Sequence, residues 1–145
     1  MPDKEEQLDE KEAVKRLNAA LELQYRSALQ YSITASSLTG LEAQALGSKL
    51  TEFGDSELAD ARRLIEKIVS FGGKPTTEVA ELRFENSVKA ALEWLVSCEE
   101  AAVEALQEAI EPTGRDGRSE ALEHLMEHLI LRKQQQVDFL NRSAS

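Results

Sequence analysis

Hydrophobic residues recur at steps of three and four along four stretches of the chain, the spacing that places side chains on one face of an α-helix. These four stripes cover residues 17–38, 46–71, 88–110 and 122–140. Each stripe predicts an amphipathic helix, and together they predict an all-α protein. Polar side chains interrupt every stripe near its middle. They are Gln24, Glu57, Asp60, Glu99, Lys133 and Gln136.

The six polar interruptions predict a polar layer inside the protein. A helix buries its hydrophobic face, so polar residues in phase with that face should meet in the core at similar depth. Burying a charge is costly unless the charge is paired, hydrogen-bonded or bound to a metal ion. The layer therefore indicates either a functional site or the remains of one.

Turn-forming residues separate the stripes and set the limits of the predicted helices. The helices are expected over about 11–38 and about 41–71, from just after Asn86 or Ser87 to near Glu111–Pro112, and over about 120–141. Asp9 and Glu12 stand at capping-box spacing around the first start, and Gly72 and Gly73 end the second helix. Ser119 is the predicted N-cap of the fourth helix.

The lengths of the connections predict the topology. The first and third connections are short, which favours two antiparallel helical hairpins. Residues 73–86 show no helical period and form a connection long enough to cross the bundle and make the second and third helices parallel. We therefore expect a four-helix bundle over residues 11–145, preceded by an acidic N-terminal extension over residues 1–10.

Composition narrows the classes of function. A formal net charge of −10 disfavours binding to nucleic-acid phosphates, and the basic residues are scattered apart from Arg62–Arg63 and Arg132–Lys133. No apolar run is long enough to span a membrane. Cys98 is the lone cysteine, which excludes an internal disulfide and fits a reducing cytoplasm. We expect a cytoplasmic protein with neither a nucleic acid nor a membrane as its partner.

Four segments of the sequence resemble bacterioferritins, which belong to the ferritin-like superfamily. LNAALELQYRSALQY (17–31) is similar to their first helix, and ELADARRLIEKIVSFGGKP (57–75) to their second helix and the turn after it. LRFENSVKAAL (82–92) resembles the end of their crossover, and QVDFL (136–140) their fourth helix. The resemblance covers about residues 15–141 and implies the ferritin-like form of the bundle, with two hairpins joined by a long crossover.

The resemblance also implies that the polar layer stands where the family binds two iron ions. The family's terminal and bridging carboxylates and its two histidines would fall on Gln24, Glu57, Asp60, Glu99 or Glu100, Lys133 and Gln136. Helical phase favours Glu99 over Glu100. Asp60 and Gln136 would replace the histidines, and Lys133 would replace a bridging glutamate. Leu58 stands where the family carries its haem-binding methionine, so no haem is expected.

These departures predict a degenerate di-iron centre. Glu57, Asp60 and Glu99 with Lys133 carry a formal charge of about −2, whereas two divalent ions need about four anionic ligands. A protonated amine also cannot ligate a metal. We expect Lys133 to pair with Glu57, with Asp60 as a second partner, while Gln24 and Gln136 donate hydrogen bonds.

The leading hypothesis is a cofactor-free binding or structural module rather than a ferroxidase. An alternative is a ferroxidase or iron-storage protein that uses Glu57, Asp60 and Glu99 as a carboxylate-rich site for iron or another divalent metal. A second alternative is a helical adaptor for a protein partner. Apolar residues that we expect to be exposed beside the core stripes predict a homodimer through the first two helices, with a higher oligomer as a further possibility. These apolar residues are Leu23, Leu29, Leu41, Ala61 and Ile65.

Overall fold

A computed structural model describes residues 8–111 and 116–144, and these residues form four helices and no strand. The helices are α1 (Glu10–Ser37), α2 (Gly40–Ser70), α3 (Val88–Ile110) and α4 (Gly117–Ala144). The predicted all-α bundle of two hairpins and a long crossover is confirmed. Most of the predicted acidic extension and of the α3–α4 turn lies outside the described residues, so the domain limits remain a prediction.

Side-chain caps explain where three of the helices begin. The Asp9 carboxylate accepts a hydrogen bond from the Glu12 amide at 3.1 Å, and Ser87 Oγ accepts one from the Ala90 amide at 3.1 Å. At α4, Asp116 Oδ1 accepts from the Ser119 amide at 2.8 Å. The prediction of Ser119 as the N-cap of α4 was wrong, because Asp116 caps equally well and starts the helix at Gly117.

Glycines shape α2 at two places, at its contact with α1 and at its C-terminal end. Gly54 lies against α1, where an added β-carbon would be only 3.2 Å from Tyr31 Cβ, so its small size lets the two helices approach closely. Gly72 has a φ of +79°, and the Gly73 amide donates to the Ile68 carbonyl at 2.9 Å. This left-handed turn ends α2, as the paired glycines predict.

The crossover between α2 and α3 is held along α1 by two amide side chains. Near its start, Asn18 Oδ1 accepts from the Thr76 amide at 2.8 Å. Near its end, Gln30 donates to the Arg83 carbonyl at 2.7 Å and accepts from the Arg83 amide at 3.0 Å. The crossover therefore runs along α1 from Asn18 to Gln30 and leads to the start of α3.

The core consists of two apolar clusters with the polar layer between them. The first cluster includes Leu17, Leu21, Leu64, Ile68, Leu106, Leu122, Met126 and Leu129. The second includes Tyr31, Leu50, Phe53, Leu92, Leu95 and Leu140. On every helix the layer residues fall between the members of these two clusters in sequence. None of the described helices is long and apolar enough to cross a membrane.

The structure corrects part of the predicted dimer surface. Ala61 is only 1% exposed and belongs to the first apolar cluster, and Leu23 and Ile65 pack against that cluster. The expectation that Ala61 is exposed was wrong, because this small side chain packs into the first apolar cluster, whereas Leu23 and Ile65 are only partly buried. Leu29 and Leu41 are exposed as predicted.

Candidate functional site

All six polar residues singled out in the sequence are buried. Gln136 is 2% exposed and the other five are fully inaccessible, whereas Glu100 is exposed. Each helix supplies at least one of the six, because each side chain is in phase with the apolar stripe of its helix. The structure brings five of them into one hydrogen-bonded network and places the sixth, Asp60, at its edge.

Two carboxylates face each other at the centre of the network, and two donors from α4 bridge them. Lys133 Nζ donates to Glu57 Oε2 at 2.6 Å and to Glu99 Oε1 at 3.0 Å. Gln136 Nε2 donates to Glu57 Oε1 at 2.6 Å and to Glu99 Oε2 at 2.7 Å. Every carboxylate oxygen of Glu57 and Glu99 therefore accepts a hydrogen bond from α4.

A third donor comes from α1. Gln24 Nε2 donates to the Glu57 carbonyl at 2.8 Å and also to Glu57 Oε2. Because both partners are oxygen atoms, the amide nitrogen of Gln24 must face Glu57. Gln24 therefore presents a donor, and not a ligating oxygen, to the central carboxylate.

Tyr31 is a further member of the network, and it was not singled out from the sequence. Its hydroxyl lies 3.4 Å from Gln136 Nε2, and burial, with the nearby Glu99 and Glu57 carboxylates, raises the pKa of the phenol well above its usual value. The sequence feature that could have predicted this contact is the position of Tyr31, two helical turns after Gln24 on the same stripe. From there a long side chain can reach the polar layer.

Asp60 turns away from Lys133 and pairs with arginines. Its Oδ1 accepts from Arg63 at 2.6 Å and from Arg132 at 2.8 Å. The expectation that Asp60 would be the second partner of Lys133 was wrong, because Glu99 takes that role. Asp60 lies one turn beyond Glu57 with a shorter side chain, and it meets Arg132 at the edge of the layer.

The comparisons with known proteins place the chain in a family. Residues 14–143 match the family model described as "Ferritin: Ferritin-like domain". The chain is a member of this ferritin-like family. The predicted relationship to the ferritin-like superfamily is thereby confirmed. No curated protein sequence matches the chain.

Solved structures show the same ferritin-like fold. A structure described as ferritin-like, diiron-carboxylate proteins from Bacillus anthracis str. Ames has a TM-score of 0.87 and 24% identity, covering 94% of this chain and 98% of that one. Rhodobacter capsulatus bacterioferritin, described with a metal-free dinuclear site and heme iron, has a TM-score of 0.79 and 23% identity, covering 91% and 82%. A dodecameric thioferritin from Bacteroides fragilis has a TM-score of 0.83 and 20% identity, covering 94% and 86%.

The residues of the layer do not fit two divalent ions. Within residues 8–111 and 116–144, no group of three or more histidine, cysteine, aspartate or glutamate side chains is arranged to hold a metal ion. The ammonium of Lys133, at the position that the resemblance implies for a bridging glutamate, pairs with both central carboxylates, Glu57 and Glu99. Gln24 and Gln136 direct N–H groups at Glu57 where a metal would need oxygen or imidazole ligands.

One ammonium shared by two carboxylates leaves the ferritin-like layer short of positive charge. Burial alone would lower the pKa of Lys133, but Glu57 and Glu99 outweigh burial and raise it. Burial alone would raise the pKa of Glu57, but Lys133 and the hydrogen bonds lower it. At Glu99, burial exceeds the attraction of Lys133 and, together with repulsion from Glu57, raises the pKa to about 7. Glu99 is thus the carboxyl group that takes up a proton near neutral pH.

Substituting Glu99→Gln should flatten the dependence of stability on pH near neutrality. The folded-state pKa of Glu99, about 7, lies above its ordinary value of 4.5, so the folded protein holds this proton more tightly than the unfolded chain. The resulting stabilisation of the folded state is complete below pH 4.5 and is lost as the pH rises through about 7. The full effect is roughly 3 kcal/mol. Urea denaturation between about pH 5 and pH 8 should show a fall in the free energy of unfolding that Glu99→Gln removes.

The adjacent exposed residue supplies the control. Glu100→Gln makes the same chemical change one residue away, where the side chain faces solvent, and should leave the pH profile unaltered. Identical profiles for Glu99→Gln and Glu100→Gln would contradict the assignment of the proton to Glu99.

Proposed function

We propose that this chain is a bacterioferritin-like protein in which a metal-free network of side chains replaces the di-iron centre. We further propose that it acts as a binding or structural module rather than as a ferroxidase. The observation that supports this most directly is the fully buried Lys133 ammonium, at 2.6 Å from Glu57 and 3.0 Å from Glu99.

The charge of the layer supports the proposal. Two divalent ions bring four positive charges, which a di-iron site balances with about four anionic ligands. Here Lys133 offsets one of the two central carboxylates, and the Asp60 carboxylate is engaged by Arg63 and Arg132. The central network therefore retains a formal charge of about −1, less than the value of about −2 that all three carboxylates suggest from sequence.

The surroundings of the layer agree with a protein that lacks cofactors. At the position implied for the haem-binding methionine, Leu58 is 46% exposed on α2 and offers no thioether. Cys98 is a buried free thiol, and burial raises its pKa to about 11, so it is a poor nucleophile or metal ligand. A protein with such a thiol suits the reducing cytoplasm, where we place it.

Metal analysis tests this function directly. Purified protein should contain no stoichiometric iron or manganese by mass spectrometry, and it should not accelerate the oxidation of added Fe(II) in air. A variant that carries Gln24→Glu, Asp60→His, Lys133→Glu and Gln136→His restores the ligands that the resemblance implies, and it should gain iron. Stoichiometric metal in the unaltered protein that is lost on Glu57→Ala would instead establish the ferroxidase or iron-storage alternative.

The stability of a Lys133 variant tests the network itself. Lys133→Ala leaves Glu57 and Glu99 buried without their shared cation, and it should lower the free energy of unfolding by about 3–5 kcal/mol. Lys89→Ala, at an exposed position in the first turn of α3, should change it by less than about 0.5 kcal/mol. Equal effects of the two substitutions in urea denaturation would mean that the ammonium is not part of a buried network.

We also propose that the chain forms a homodimer through α1 and α2. These adjacent helices carry exposed apolar side chains, with Leu29 44% exposed, Leu58 46% and Val69 57%. Exposed apolar side chains on neighbouring helices favour an interface between proteins. The oligomeric Bacteroides fragilis neighbour makes a higher assembly of this ferritin-like chain a natural extension.

Placing a charge on this surface should separate the subunits. Leu58→Arg would bury an unpaired cation in the proposed interface and should shift the mass measured by light scattering toward that of a monomer. Leu131→Arg is the matched control, because Leu131 is 56% exposed but lies on α4. A dimer that survives Leu58→Arg but not Leu131→Arg would move the interface to α4.

A further inference from the structure

A groove of about 380 Å³ lies between α2 and α4, beside the edge of the polar layer. Gln136 forms part of its wall, and two aromatic rings, Phe53 and Phe139, also line it. Its charged lining is mostly basic, although the whole chain carries a formal charge of −10. The basic side chains are Lys49, Arg132 and Arg142, the acidic one is Glu52, and Ser56 and Gln135 add neutral hydrogen-bonding groups.

Asp60 holds Arg132 in place at this groove. Its buried Oδ1 accepts hydrogen bonds from both Arg132 and Arg63, so one carboxylate supports two guanidinium groups and a positive charge remains uncompensated. A second nitrogen of Arg132 lies 2.9 Å from His128 Nε2, which fixes the plane of the guanidinium. The Arg132 side chain is 27% exposed, so it is anchored from within and accessible from the groove.

Lys49 adds a second accessible cation. Its ammonium lies 3.5 Å from Glu52, and the two side chains are 43% and 65% exposed. Such exposed pairs contribute little free energy, so a more highly charged anion can displace Glu52 at small cost. Lys49 has no contact with Asp60 in the structure, which makes it an independent part of the groove.

We propose that this groove binds a small multivalent oxyanion of the phosphate class. A guanidinium fork matches the oxygen atoms of a phosphoryl group, and an ammonium supplies a further charged donor. Arg132 is held in position before the anion binds, so little conformational freedom is lost on binding. The groove volume falls in the range of small-molecule sites and suits more than one phosphoryl group.

Anion binding at this groove goes beyond the proposed function, and it can be absent even if the polar layer is a metal-free module. Gln136 is the one member of the central network that lines the groove, whereas Glu57, Glu99 and Lys133 do not line it. The sequence shows two separate basic pairs, Arg62–Arg63 and Arg132–Lys133, and only the fold brings one member of each onto Asp60.

Titration with inorganic pyrophosphate tests the proposal. At low ionic strength, calorimetry on the full chain should show saturable binding that sodium chloride of equal ionic strength does not reproduce. Arg132→Gln should weaken binding about tenfold or more, the loss expected for a charge-assisted hydrogen bond. Lys49→Gln should weaken it severalfold.

Arg62→Gln is the control of matched charge. Arg62 is exposed on α2 and does not line the groove, so its loss should leave the affinity within about twofold. Should Arg132→Gln fail to fold because Asp60 loses a partner, Lys49→Gln decides the question. Absence of saturable pyrophosphate binding, or an equal loss in Lys49→Gln and Arg62→Gln, would overturn the proposal.

Discussion

A single buried cation connects three of the four helices. Lys133 extends from α4 into a layer that has no access to solvent and contacts Glu57 of α2 and Glu99 of α3. Gln136 repeats the same two connections one turn later, and Gln24 joins α1 to Glu57. Because an unpaired charge or donor in this layer would be costly, the helices must keep the axial register at which all of these partners meet.

Such a network affects folding mainly by making misaligned arrangements of the helices unfavourable, and less by adding net stability. A buried ion pair contributes little net stability compared with well-packed apolar side chains, whereas removal of one partner is strongly unfavourable. The apolar clusters on either side of the layer therefore supply the driving force for folding, and the layer selects one alignment of the helices.

The hydrophobic phase of each stripe was sufficient to predict the bundle and the burial of the layer residues. It could not predict which of the buried partners pair. Helical phase defines the depth of a side chain and its angle on its own helix, but not the distance to a neighbouring helix. For this reason Asp60 was expected beside Lys133 and instead meets Arg132, and Ala61 was expected at the surface although it belongs to the first apolar cluster.

Positive charge is unevenly distributed between the polar layer, which has too little, and the neighbouring groove, which has an excess. Three carboxylates, Glu57, Glu99 and Asp60, meet three cations, which are Lys133, Arg132 and Arg63, so the region as a whole is neutral. The partners are unevenly distributed, because one cation serves two carboxylates inside and two cations serve one carboxylate at the edge. Burial raises the pKa of Glu99, because the one ammonium inside the layer does not offset it, and the surplus at the edge gives the groove its positive charge. The surplus at the edge follows from Asp60, whose single Oδ1 accepts hydrogen bonds from both arginines.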